Sequence, residues 1–173
     1  IYYHSANDTY LNGKDLYVNC PPEQNMAHYR LKLALDYIFD SNSGYDFIFR
    51  TNASSYVDKQ RLLDHAKEQP TMRTYSGRLG GGFASGCGFL MSTDLINILR
   101  TMDDYPSDSE DCLIGVYLER AGIKPTDAIR WDYHPHSDQH NIPKIYHYRC
   151  KSDDLDRTKD IKAFKHIHQI LHG

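Results

Sequence analysis

Between residues 23 and 51 the chain changes from one periodicity to another with almost no linker. Met26, Tyr29, Leu33 and Tyr37, joined by Leu31, Leu35 and Ile38, recur at three- and four-residue spacing, which predicts a helix over 23–40. After Ser-Asn-Ser-Gly comes Asp46-Phe-Ile-Phe-Arg50, an apolar and aromatic run of strand length. A helix followed at once by a buried strand is the unit of an α/β fold, and it predicts a βαβ connection in a mixed, mainly parallel sheet flanked by helices. The run ends abruptly in Thr51, Asn52, Ala53, Ser54 and Ser55. In such sheets ligands bind at the carboxyl ends of strands, so this small polar tip is the first candidate site.

The rest of the chain supplies partners for that unit. Residues 1–6 and 15–19 are short aromatic and β-branched runs separated by an Asn/Asp/Gly stretch, and they read as strands. Residues 58–68 read as a short amphipathic helix stopped by Pro70. The stretch YSGRLGGGFASGCGFLMS is glycine-rich and then apolar, which predicts either a flexible loop, over 77–88, feeding a strand, or a plain, closely packed turn. A helix over 93–102 starts on a Thr93 cap. Another, over 109–121, has Ser109 before it, Glu110 and Asp111 in its first turn and Gly122 as its stop. The last twenty or so residues read as a terminal helix. With no internal repeat and no low-complexity linker, 173 residues make one domain. The first residue, Ile1, already lies inside a strand-like run, so an edge or first strand is expected ahead of it.

Composition narrows the function classes. Twenty basic and 23 acidic residues are well mixed and leave a net charge of -3, so no nucleic-acid-binding face is expected and any anion site must be local. No apolar run approaches the roughly 20 residues of a membrane helix. Cys20, Cys87, Cys112 and Cys150 form no CxxC pair, which argues for buried free thiols over a structural zinc site or a disulfide scaffold.

Four stretches have chemistry to offer. Gly80, Gly81 and Gly82, with Gly86 and Gly88, would let backbone N–H groups approach an anion, although the GK[ST] of a P-loop is missing. His134 and His136 alternate in WDYHPHSDQHNIP, a spacing that suits one metal ion if the segment is extended; a solvated His-rich loop is the plainer reading. Glu110 and Asp111 at a helix start would cap it, or act on substrate as a base if that helix points into the site. Arg149, Lys151 and Arg157 lie among Asp153, Asp154 and Asp156; such a run pairs with itself in solvent, or lends cations to a diphosphate.

Three of these landmarks, in order, resemble one family. DFIFRTNASSYVDKQRLLDHA is similar to the strand, Asp-x-Asp tip and following helix of GT-A-fold glycosyltransferases of the fringe and β-1,3-galactosyltransferase kind. FASGCGFLMSTDLINIL resembles that family's Ser-Gly-x-Gly-Tyr-x-x-Ser stretch, and SEDCLIGVYLERAGI its Glu-Asp-Val-x-x-Gly helix. The resemblance spans roughly residues 46 to 123 in matching order and spacing. More loosely, HYRCKSDDLDRTKDIKAF is similar to the closing segment of bacterial and viral relatives.

The resemblance implies a nucleotide-sugar donor, a UDP-sugar first of all, and transfer to a hydroxyl of a glycan or glycoconjugate acceptor with inversion. By position Asp111 is the base that takes the acceptor's proton, with Glu110 beside it. Arg50, Asn52, Ser54 and Gly86 fall on donor-binding positions, and one of His134 and His136 falls near a late metal-ligand His. The chain departs from the family at the tip, where Asn52, Ala53 and Ser54 replace carboxylates. Mg²⁺ or Mn²⁺ on a diphosphate is held by carboxylates, so transfer without a metal is expected, with Arg149, Lys151 or Arg157 neutralising the leaving diphosphate. The compartment would be the Golgi lumen in a eukaryote and the cytoplasm in a bacterium or virus. Two rival readings stand beside this one: a degenerate carbohydrate- or nucleotide-binding module, and a zinc hydrolase built on the His segment.

Overall fold

The computed structural model describes residues 2–40, 44–102, 109–134, 142–151 and 157–173. The two amino-terminal runs form β1 (Tyr2–Ala6) and β3 (Asp15–Asn19), and the Asn/Asp/Gly stretch between them contributes a third strand, β2 (Tyr10–Asn12). Leu16 and Val18 alternate to one face of β3, are fully buried, and pack with Ala34 of helix α1 (Ala27–Asp40). That alternation against a helix at its own spacing explains the pairing of sheet and helix.

Strand β4 (Phe47–Thr51) follows α1, then β5 (Ser55–Val57) and helix α2 (Lys59–Lys67). Asp58 caps α2, its side chain accepting from the Arg61 N–H. The glycine-rich stretch is a β-hairpin, which is the turn and not the flexible loop of the two expectations. Strands β6 (Tyr75–Leu79) and β7 (Ala84–Ser92) pair antiparallel across a turn closed by Gly80 N–H to Phe83 O at 2.8 Å. Gly81 and Gly82 take positive φ of 71° and 104° there, where an L side chain would be strained. A turn this short can only return the chain antiparallel.

Helices α3 (Ile96–Leu99) and α4 (Glu110–Arg120), strands β8 (Thr126–Asp127), β9 (Trp131–Asp132) and β10 (His147–Arg149), and helix α5 (Thr158–His172) complete the order. Four residues of helix do not hold by themselves. Leu95, Ile96, Leu99 and Met102 are all buried, and each such side chain contributes about 1.5–3 kcal/mol. The main core joins them to Leu31 and Leu35 of α1, Tyr75, Phe89 and Met91 of the hairpin, and Ile114 and Leu118 of α4. A second cluster, built on Tyr148, seats Ala163 and Ile167 of α5.

The class is α/β, but the sheets are not mainly parallel, and that expectation is corrected. Among the described residues three sheets run in the orders β1-β3-β2, β5-β10-β9 and β4-β7-β6-β8. The pairs β1/β3, β9/β10 and β6/β8 are parallel. The pairs β2/β3, β4/β7, β6/β7 and β5/β10 are antiparallel. An apolar run such as Phe47-Ile48-Phe49, which is half-buried, does not record the direction of its neighbour. Helix α1 does cross from β3 to β4 as predicted, yet those strands belong to different sheets. Among the described residues no helix is long and apolar enough to cross a membrane.

Candidate active site

Three chain segments remote in sequence meet through two short contacts. At the end of β4, Arg50 Nη2 donates to Glu110 Oε2 at 2.7 Å, and both side chains are only 12% exposed. At the start of β7, the Gly86 N–H donates to Asp111 Oδ2 at 2.8 Å. Helix α4 supplies both acids from its first turn. The other oxygen of Asp111 accepts from Ser109 Oγ at 2.8 Å and from the Cys112 N–H at 3.1 Å. Ser109 is therefore engaged with a side chain and makes no side-chain cap to the helix.

Burial raises the Glu110 carboxyl pKa, and the Arg50 charge opposes that rise. Burial likewise works against the charge on Arg50, but Glu110, the Tyr3 hydroxyl and Asp111 more than offset it and raise its pKa. Tyr3 reaches this group from β1, and its own pKa is raised by burial and by Glu110. Two buried polar atoms, Arg50 Nε and Glu110 Oε1, have no hydrogen-bond partner among the described residues. A buried polar atom left open in this way marks a place for a ligand or water group.

The polar tip closes on itself. Asn52 Oδ1 accepts from Ser55 Oγ at 2.8 Å and from Ser54 Oγ at 3.2 Å. Ser54 is buried, and its carbonyl takes the Cys150 N–H at 2.8 Å. The tip holds no carboxylate, and its one amide oxygen is already occupied. Among the described residues no three His, Cys, Asp or Glu side chains gather as a metal-holding group. These donors do not fit Mg²⁺ or Mn²⁺, which take anionic oxygen ligands.

Strand β10 brings up a second wall. Arg149 lies opposite Ser55, and Cys150 and Lys151 follow it directly past the tip. His147 Nε2 is 3.1 Å from Ser55 Oγ. Its imidazole is 2% exposed; burial first, then the Arg130 charge, push its pKa from an ordinary 6.5 to about 4, with Asp132 and a bond to the Cys87 backbone opposing. It is neutral at pH 7. Arg130 grips Asp132 through Nε at 2.9 Å and Nη2 at 3.1 Å, and Nη1 reaches Ser85 Oγ at 2.9 Å.

The expected residues therefore divide. Arg50, Gly86, Glu110 and Asp111 are drawn together, and Asn52, Ser54 and Arg149 stand at the adjoining tip. Arg157 is engaged by Asp160 at 2.7 Å in the first turn of α5. His134 is an exposed residue just past β9, and His136 lies outside the described residues. His147 and Arg130 are the residues that sequence reasoning missed. The signal for His147 was a polar ring inside the apolar run Ile145-Tyr-His-Tyr; Arg130 carried none beyond being a lone cation in a short loop. Beside the tip, a cavity of about 380 Å³ is lined by Leu31, Leu35, Phe47, Phe49, Arg50 and Asn52, among others. No protein-family model matches the chain, and no curated protein matches it.

Proposed function

We propose that the chain is an inverting glycosyltransferase of the GT-A kind, moving a sugar from a nucleotide-sugar donor to an acceptor hydroxyl without a divalent metal. The observation that carries this reading is the pairing of Gly86 with Asp111 beside Arg50 with Glu110. It gathers at one point the strand tip, the glycine stretch and the acidic helix start on which the family resemblance rests. In this reading the acceptor oxygen attacks the anomeric carbon, the bond from that carbon to the diphosphate breaks, and the nucleoside diphosphate leaves with the electron pair. The acceptor's proton goes to Asp111. Each carboxylate oxygen offers two lone pairs, and Oδ2, with the Gly86 N–H on one, keeps the other for that proton.

Glu110 and Arg50 neutralise each other next to the base. The cavity of about 380 Å³ that opens at Asn52 falls in the size range of ligand sites and is largely apolar, as a stacked nucleobase requires. The test is a panel of sugar nucleotides assayed for transfer and slow donor hydrolysis, with and without EDTA. Turnover that survives chelation and is abolished by Asp111→Asn, with donor binding nearly intact, is expected. Unchanged turnover in Asp111→Asn would sink the assignment.

A further inference from the structure

Side chains of directly paired residues share a face of a sheet, as do residues two apart on one strand. On that rule His147 and Arg149 of β10, Ser55 of β5 and Asp132 of β9 all lie on one face of the small β5-β10-β9 sheet. Tyr148 turns to the opposite face and packs under α5. The face with the two charges looks toward the start of β7, as the bonds from Arg130 to Ser85 and from Ser55 to the Cys87 carbonyl show. A basic group on this face that nothing neutralises would need an anion.

Among the described residues Arg149 is that group. It makes no ion pair among the described residues, and its Nε is buried without a hydrogen-bond partner. Arg130 is held rigid by Asp132 and Ser85, with a side chain 11% exposed, and three of its five N–H donors are taken. We propose that Arg149 and Arg130 form a cradle for a diphosphate group in place of a metal ion. This rests on the transferase reading above and names what holds its leaving group. Arg149 on β10 and Arg130 just ahead of β9 suit an anion with two charged centres, Arg149 with its fork and Arg130 with the two N–H donors that Asp132 and Ser85 leave over. His147 is neutral beside them, so the positive charge of the cradle comes from the arginines alone.

The test is calorimetric titration of inorganic pyrophosphate, in EDTA, into the wild-type protein and into Arg149→Met, Arg130→Lys and a distant control, Lys162→Met. Wild type and control are expected to bind alike, and each arginine variant to bind at least about tenfold more weakly, as loss of one charge-assisted fork implies. Circular dichroism checks folding. If Arg130→Lys fails to fold, Arg149→Met decides alone. No binding by the wild type, or unchanged affinity in Arg149→Met, overturns the cradle. Arginine-dependent pyrophosphate binding without transfer from any sugar nucleotide would instead leave the cradle standing and remove the transferase reading. Transfer that persists in both arginine variants would do the reverse.

Discussion

The ring of His147 fills the space that a side chain at position 88 would need. A Cβ built on Gly88 would lie 2.3 Å from His147 Cε1 and 2.8 Å from Nε2, closer than any real contact. The histidine of β10 thus requires glycine at position 88 of β7, and through Ser55 it holds the strand tip against the hairpin.

Gly88→Ala should force the buried ring to move and cost about 1–3 kcal/mol, the range for overpacking a closed core. Urea unfolding would read this as a lower midpoint with an unchanged slope. Gly88→Ala combined with His147→Ala should lose less than the two single changes added together. Simple additivity would show that the contact carries no strain.

The depressed His147 pKa makes stability depend on acid. The unfolded chain takes up its proton near the ordinary 6.5, the folded protein only near 4, so the unfolded state binds more protons between those values. Stability should be flat above pH 6.5 and fall as pH drops from 6.5 to 4. His65, lowered by burial and stacked on Tyr146 at 4.8 Å, adds to the slope in the same direction. Thermal unfolding of His147→Gln across this range should show a clearly shallower fall than wild type; an equal fall would mean that other groups set it.

Removing one partner of the Arg50–Glu110 pair leaves a buried charge uncompensated. Arg50→Met should destabilise by about 3–5 kcal/mol, and Glu110→Gln by a comparable amount. The double variant Arg50→Met/Glu110→Gln should recover part of the loss, because neither charge is then stranded. A double-mutant cycle in urea would detect that coupling. Losses that merely add would mean the two groups are solvated independently.

Much of the local structure was written in the residues themselves. The three- and four-residue spacing over 23–40, the run Phe47-Ile48-Phe49, and the acidic first turn at Glu110 each specify their element through neighbours in the chain. That Arg50, Gly86, Glu110 and Asp111 share one site was an expectation drawn from the family resemblance, and no local pattern in the residues gave it. Strand direction was not legible either: Phe47-Ile48-Phe49 would read the same beside a parallel or an antiparallel partner, and only the tight turn at Gly81-Gly82 set β7 antiparallel to β6. Nor did residue type show that Asn52 turns its amide oxygen onto Ser54 and Ser55, or that Arg130 is clamped by Asp132. His147 is the plainest case. Its neutrality and burial depend on Gly88 leaving room for the ring and on Arg130 standing near it, and both are long-range contacts that exist only once the sheets have packed.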